Sequence, residues 1–246
     1  MRVGIIQSSF IPWRGYFDFI ASVDRFVFHD DIQYTKGDWR NRNRLKTPQG
    51  PVWLTVPVHY ERVSQLICET RVAESTDWRT KHLRLWQANY RQAPYLDDVL
   101  NILGDMERGR ASLTISQLNI ALTRSICEYL GITTPMAMSN DYELAGAKTD
   151  RLLDLLGKVG ATTYLSGPSA AAYLDEDAFR RAGIGLEYKS YAYAPYAQLW
   201  GDFDATVSIL DLIANCGPAA RESIVSCSQD QVAVPPAQPT IAMERN

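Results

Sequence analysis

The sequence predicts an α/β fold: a mostly parallel, Rossmann-like sheet with flanking helices, a β-hairpin and an inserted helical lobe. Two observations predict this fold. Short apolar runs alternate with helical patterns near the start of the chain and again after residue 135, which is typical of a sheet with helices on both faces. The region of about 77–130 between them has helical periodicity only. We therefore expect a single α/β domain over residues 1–227, with the lobe at about 77–130.

The first unit of the chain predicts two parallel strands joined by a helix. Residues 3–6 and 25–28 are short apolar runs, and residues 16–22 between them have a helical pattern that begins after Pro12 and Gly15. One helical crossover of this length joins parallel neighbours, so both strands should end at the same edge of the sheet.

The middle of the chain predicts the hairpin and the lobe. Residues 43–46 and 52–56 are strand-like and flank a turn that contains Pro48, Gly50 and Pro51. Residues 65–72 are interpreted as one more short strand. Helices are predicted over residues 77–91, 94–103 and 113–130, with a polar break at 104–110.

After residue 135 the alternation returns. The predicted strands are residues 135–138, 162–165 and 186–189, and the predicted helices are residues 148–158, 176–181 and 206–215. Pro235, Pro236 and Pro239 interrupt the last segment, which has little apolar pattern, so residues 228–246 are expected to be a disordered tail.

Composition excludes several classes of function. The net charge is −3, so there is no general basic field to recruit nucleic acid, and no apolar run approaches the 18 residues of a membrane span. The first ten residues are not typical of a signal peptide. The four cysteines form no C-x-x-C pair and the three histidines are scattered, so we expect reduced thiols, no zinc or other metal site, no cofactor and a cytoplasmic location.

Polar residues follow the first two predicted strands, where ligands of open α/β sheets bind. Gln7 and Ser8 follow the first strand, and Asp30 and Asp31 follow the second next to His29. The loops that begin at Ser139, Ser166 and Ser190 follow later strands and should meet them at this edge. Asp30 and Asp31 are therefore candidate catalytic residues, as a base or as hydroxyl ligands; the alternative is that they cap a turn.

Arginine and asparagine alternate over residues 40–44. On a strand, Arg42 and Arg44 share a face that suits phosphate or carboxylate, and Asn41 and Asn43 share the other. The alternative is a solvated charge run that pairs with surface acids, and this is the interpretation for Arg40.

His82 is the third candidate catalytic residue. It lies in a helical stripe with Trp78, Trp86 and Tyr90, where a buried core histidine is the usual explanation and a general acid/base lining a cleft is the alternative.

Two later segments are candidates for substrate binding. Ser166, Gly167 and Ser169 lie in a loop that could offer backbone N–H groups to an anion, although it lacks the spacing of a P-loop. Tyr196 and Gln198 lie in an aromatic segment that could stack on a sugar or base, or fill the core. The sequence identifies no catalytic nucleophile.

Several of these residues carry a resemblance to the WbqC-like protein family. The resemblance runs from residue 1 to about 217, and the matching residues are Gln7, Phe10, Pro12, Gly15, Tyr16, Phe17, Asp30, Asp31, Gln33, Tyr34, Trp39, Asn41, Arg42, Asn43, Arg44, Tyr164, Leu165, Ser166, Gly167, Tyr173, Leu174, Tyr196, Gln198, Ser208, Ile209, Leu210 and Asp211. It implies substrate-binding roles for Tyr16, Gln33, Trp39 and Asp211 besides the residues named above. The family more often has Pro after the first Gln, where this chain has Ser8.

Family members occur in gene clusters for surface polysaccharides and specialised metabolites. The resemblance therefore implies a small-molecule transferase, acyl, aminoacyl or sugar-modifying, that acts on an anionic substrate in such a pathway. One alternative is a nucleotide-dependent adenylating or nucleotidyl-transfer enzyme of pantothenate-synthetase-like fold, although Tyr16 stands where such folds place a histidine. The other is a non-catalytic small-molecule binding protein. The sequence assigns no oligomeric state.

Overall fold

Six strands form one sheet in the computed structural model, which describes residues 1–74, 76–104, 106 and 113–237. Its strands are β1 (Arg2–Ile6), β2 (Arg25–Phe28), β5 (Met136–Met138), β6 (Thr163–Ser166), β7 (Gly185–Tyr188) and β8 (Gln231–Val234). Their spatial order is β5-β2-β1-β6-β7-β8, and all neighbours are parallel except β7 and β8. The predicted α/β class with a mostly parallel sheet is confirmed.

The five parallel strands follow a doubly wound order. If these strands are numbered by their order along the chain, their order across the sheet is third, second, first, fourth and fifth. The winding direction therefore reverses between β1 and β6. This reversal opens a crevice outside the carboxyl ends of β1 and β6, which is where such sheets bind ligands.

Helices cover both faces of the sheet. Helix α1 (Arg14–Ala21) packs with Phe26 and Phe28 on one face, and α5 (Lys148–Val159) and α6 (Glu176–Ala182) pack with Val3 and Val27 on the other. Helix α1 lies very close to β1, because a Cβ atom on Gly4 would come 2.4 Å from Phe19 Cε1. A larger residue at position 4 would push α1 away from the sheet.

The hairpin and the helical lobe are confirmed. Strands β3 (Arg42–Leu45) and β4 (Val52–Thr55) pair antiparallel. The lobe consists of α2 (Trp78–Tyr90), α3 (Leu96–Gly104) and α4 (Ile115–Tyr129), which pack with α1 and with α7 (Ile209–Cys216) in one hydrophobic cluster. Most of the predicted polar break at 104–110 lies outside the described residues.

Two predictions about secondary structure are wrong. Residues 65–72 do not form a strand: Ile67–Glu69 is one turn of 3-10 helix, and the residues on either side of it make isolated bridges, such as Leu66 with Gln33. The predicted tail is wrong for Gln231–Val234, which is the edge strand β8. Its last residue, Val234, pairs with Leu186 and is buried. This apolar contact and the free edge of β7 stabilise the strand, although its own sequence pattern is too short to predict one. Residues 238–246 lie outside the described residues.

Within the described ranges, no helix has the length and apolar character needed to cross a membrane.

Candidate functional site

A cleft of about 650 Å³ opens at the carboxyl edge of the sheet, where the winding reverses. We call it the edge cleft. The ends of β1, β2 and β6 and the start of α5 form its walls. Its polar lining residues are Gln7, His29, Lys148, Thr149, Ser166 and Ser169.

The parallel pairing of β1 and β2 brings the two predicted strand ends together. Ile6 pairs with Phe28, so Gln7 and His29 leave neighbouring strands side by side. The backbone N–H of Ser8 donates to Asp30 Oδ1 at 2.8 Å. The prediction that Gln7 and Asp30 share one edge of the sheet is confirmed.

Asp30 lies beneath the edge cleft with both carboxylate oxygens occupied. It is 2% exposed, and Ser116 Oγ on α4 donates to Oδ2 while Ser8 donates to Oδ1. Proline has no N–H, so a chain with Pro at position 8 could not form the bond from Ser8. Asp30 is placed to hold the loop after β1 rather than to contact a ligand.

His29 and Asp31, which follow the end of β2, form a pair of a base and a carboxylate. His29 lines the edge cleft and its side chain is 20% exposed, and its Nε2 atom lies 3.6 Å from Asp31 Oδ1. Burial lowers the pKa of His29, an effect that the charge of Asp31 opposes in part. The imidazole is therefore neutral at pH 7 and able to accept a proton.

Asp31 is held as a carboxylate behind His29. Ser139 Oγ donates to Oδ1, and Arg151 donates to Oδ2 at 2.6 Å. Burial raises the pKa of Asp31, but these two hydrogen bonds outweigh that effect and hold it below its ordinary value. A fixed negative charge beside Nε2 stabilises a protonated His29 when it forms.

The start of α5 adds a positive group to the edge cleft. Lys148 is exposed and has a positive φ of 50°, an uncommon conformation for a residue with a side chain. Among the described residues, no carboxylate lies within ion-pair distance of Lys148. Thr149 follows it on the cleft wall. This end of the cleft suits a phosphate or carboxylate.

A second pocket, of about 450 Å³, lies between the hairpin, the start of α1 and the segment after β7. We call it the ring pocket because Trp13, Tyr16, Trp39 and Tyr191 line it. It shares Ile6 with the edge cleft. At the junction, Arg40 Nη1 donates to Gln7 Oε1 at 3.3 Å.

The asparagines of the 40–44 run are structural. Asn41 is 7% exposed and its Nδ2 donates to the carbonyl of Val56 at 2.8 Å. Asn43 is 2% exposed and its Nδ2 donates to the carbonyls of Phe10 and Ile11 at 3.1 and 2.9 Å. The prediction that both amides face one ligand cleft is wrong for Asn41, because its side chain is used inside the hairpin; Asn43 contributes to the wall of the ring pocket.

The two candidate arginines differ in their surroundings. Both guanidiniums lie over the ring of Trp53, at 4.3 Å for Arg42 and 5.7 Å for Arg44. Arg44 lines the ring pocket, whereas Arg42 is not among the lining residues of either cavity. Gln33 is exposed and pairs through its backbone with Leu66, apart from both cavities.

Tyr196, Gln198 and Asp211 form a separate, buried network. Asp211 is fully buried; Tyr196 and Gln198 donate to Oδ1 at 2.5 and 2.7 Å, and Tyr90 donates to Oδ2. Lys46 of the hairpin donates to Gln198 Oε1 at 2.7 Å. The network joins α2, α7, the hairpin and the segment after β7, so these residues brace the fold.

His82 also lies outside both cavities. It is 4% exposed and packs against Phe10 and Trp78 at ring separations of 5.8 and 5.2 Å. Burial lowers its pKa to about 4. It lines a different pocket, of about 420 Å³, together with Trp53 and Lys81.

Sequence reasoning missed part of the edge cleft. The sequence pattern does not single out His29, and Lys148, Thr149 and Arg151 lie in a segment with an ordinary amphipathic helical pattern. The available signal was their position: they open the helix that follows β5, next to the reversal of the sheet. Arg40, interpreted as a surface charge, connects the two cavities.

Comparison with known proteins agrees with the resemblance described above. The WbqC-like protein family matches residues 7–223. The chain belongs to the WbqC-like family. The matched range contains all the residues that line the edge cleft and the ring pocket except Ile5 and Ile6 of β1.

A curated relative extends the match over almost the whole chain. It is an uncharacterized protein of Mycobacterium tuberculosis, Rv1507c, which is 47% identical over 230 residues, covering 93% of this chain and 99% of the relative. No solved structure matches this WbqC-like chain.

Proposed function

We propose that this WbqC-like protein is a small-molecule transferase, acyl, aminoacyl or sugar-modifying, that binds an anionic substrate in the edge cleft. The observation that carries the proposal is His29 on the cleft wall, with Asp31 Oδ1 3.6 Å from its Nε2 atom. In such a transfer, an acceptor hydroxyl or amine attacks the donor and loses a proton, which neutral His29 is placed to accept. The proton then goes to the leaving group of the donor.

The charges around the cleft support an anionic substrate. Lys148 has no carboxylate partner among the described residues, and Thr149 and Ser169 add hydroxyl groups to the cleft lining. The carboxylates nearby are already committed: Asp30 to Ser8 and Ser116, and Asp31 to Arg151. The family resemblance supports a pathway that makes a surface polysaccharide or a specialised metabolite.

The strand order favours a second candidate, a nucleotide-dependent adenylating or nucleotidyl-transfer enzyme. Sheets of this order bind nucleotides at the point of reversal, which is where the edge cleft lies. The loop after β1 argues against it, because residues 7–11 contain no glycine. The backbone N–H groups of Ser8 and Phe10 are also in use, because they donate to Asp30 Oδ1 and to the carbonyl of Trp39, where a phosphate-binding loop would need free N–H groups.

The first experiment is a thermal-shift panel of acyl-CoA, nucleotide sugars, ATP and amino acids. A ligand at 100 times its dissociation constant stabilises the native state by roughly 2.7 kcal/mol, which raises the melting temperature measurably. Donor and acceptor pairs that stabilise the protein are then incubated together, and the product is identified by mass spectrometry. We expect a transferred acyl, aminoacyl or sugar group.

His29→Asn should lower kcat by roughly 10²- to 10⁴-fold, because general base catalysis is lost while the shape of the cleft remains. His82→Asn is the matched control, since this histidine is buried and lies outside both cavities; its kcat should stay within about threefold of wild type. Circular dichroism must first show that both variants fold. An adenylated product would support the second candidate, and ligand binding without any product would support a binding protein. Equal loss in both variants would remove His29 from the mechanism.

A further inference from the structure

The ring pocket has flat aromatic walls. Trp13 and Tyr191 lie with ring centroids 5.1 Å apart in an edge-to-face arrangement, and Tyr16 and Trp39 complete the lining. Trp39 is 42% exposed, so one wall faces the opening. Such walls bind flat rings by stacking and by edge contacts.

The same pocket is positively charged. Arg40, whose Nε atom lies 3.8 Å from Asp38 Oδ2, and Arg44 line it, and none of its lining residues is Asp or Glu. Arg44 makes no ion pair with the carboxylates of the described residues, and its Nε atom is buried without a hydrogen-bond partner. A planar guanidinium with unused donors suits a carboxylate, which it binds through two parallel hydrogen bonds.

The pocket is rigid on one side. Ile11 has a φ of 36°, which is strained for a β-branched residue. The side chain of Asn43 holds this conformation through the carbonyls of Phe10 and Ile11. Pro12, next in the chain, is thereby fixed on the pocket wall. The backbone of Arg44 is fixed as well, because its carbonyl accepts a hydrogen bond from Ser208 N at 3.1 Å.

We propose that the ring pocket binds an aromatic carboxylate, with the ring against the Trp13–Tyr191 pair and Trp39 and the carboxylate on Arg44. The assignment of this ligand as one of the two substrates rests on the proposed transferase function, because the ring pocket meets the edge cleft at Ile6 and at the bond from Arg40 to Gln7. The binding itself does not depend on that function.

The test is fluorine NMR of 4-fluorobenzoate titrated with the full-length protein. We expect the fluorine line to broaden and the effect to be reversed by excess unlabelled benzoate. 4-Fluorobenzamide has the same shape without the charge, and it should bind at least about tenfold more weakly, because one charge-assisted contact is lost.

Two variants locate the site. Arg44→Gln should weaken 4-fluorobenzoate binding by about tenfold or more. Arg42→Gln is the matched control: it removes the same charge two residues away, on the same face of β3 and over the same Trp53 ring, but outside the pocket lining, so binding should stay within about twofold. Thermal unfolding of each variant confirms that it folds.

The proposal is overturned if the wild-type protein broadens the fluorine line of neither 4-fluorobenzoate nor 4-fluorobenzamide. It is also overturned if the amide binds as well as the acid, or if the Arg44→Gln and Arg42→Gln variants lose binding equally. The titration contains no second substrate and measures no turnover. Failure here therefore leaves the test of His29 intact, and an inactive His29→Asn variant would say nothing about this pocket.

Discussion

The edge cleft and the network around Asp211 use similar residues in opposite ways. In the network, the carboxylate is fully buried and each oxygen accepts a hydrogen bond from a phenol or an amide. In the edge cleft, Gln7, His29 and Lys148 border open space, and Lys148 lacks a carboxylate partner among the described residues.

The difference shows why polar residues matching a family pattern divide into two groups. Some hold the scaffold and some border an open cavity, and only the hydrogen-bond partners distinguish them. Variants of the buried network should therefore reduce stability strongly, whereas variants of the edge cleft should reduce binding and leave stability nearly unchanged.

The largest effect is expected for Asp211→Ala. It leaves the donors of Tyr90, Tyr196 and Gln198 without an acceptor in a buried site, at a cost of about 1–3 kcal/mol each, so we expect a loss of roughly 3–5 kcal/mol. Urea denaturation measures it. Asp202→Ala, at an exposed position, is the control and should change stability by less than about 0.5 kcal/mol. A loss below about 1 kcal/mol for Asp211→Ala would mean that the network does not brace the fold.

An intermediate effect is expected from acid. Burial lowers the pKa of His82 to about 4, below its unfolded value, so the unfolded chain takes up a proton that the folded chain refuses. As pH drops from about 6.5 to about 4, His82 should therefore lower the free energy of unfolding by roughly 2–3 kcal/mol. Above that range His82 should cause no change of stability with pH.

The contribution of His82 is isolated by comparing urea denaturation of wild type and His82→Phe at several pH values, because all other groups titrate in both. The variant should have the smaller loss of stability on acidification. His59→Gln, which changes an exposed histidine, is the control for the loss of one histidine. Identical profiles for wild type and His82→Phe would contradict the buried, neutral state.

The smallest effect on stability is expected for Gln7→Ala. Its side chain makes one long hydrogen bond, from Arg40 at 3.3 Å, and is partly exposed, so stability should change by less than about 1 kcal/mol. Any thermal shift produced by a ligand of the edge cleft should nevertheless decrease. A large loss of stability would place Gln7 with the scaffold and break the comparison.

Much of the fold could be predicted because periodicity reports directly on burial. The alternation of short apolar runs with helices implies parallel strands, and parallel strands bring Gln7 and Asp30 to the same edge. Strand β8 could not be predicted in this way, since its four residues are stabilised by the free edge of β7 and not by their own pattern.

The site was only partly predictable, because exposure and pairing arise from tertiary contacts. Asp30 and Asp31 are neighbours in sequence, yet Asp30 is enclosed by the loop after β1 and α4 whereas Asp31 stands behind His29. Which of His29 and His82 is the better candidate base likewise depends on tertiary packing, because Phe10 packs against His82 on α2. No local pattern contains that information.

The antiparallel direction of β8 has a practical consequence for handling the protein. Because β8 runs back along β7, the chain reaches residue 237 at the amino edge of the sheet, where Ala237 packs against Gly183. Met1 lies at the same edge, with its carbonyl accepting a hydrogen bond from Thr162 N. A label or surface tether placed at either of these points would therefore leave the edge cleft facing the solution, which suits immobilised ligand screening.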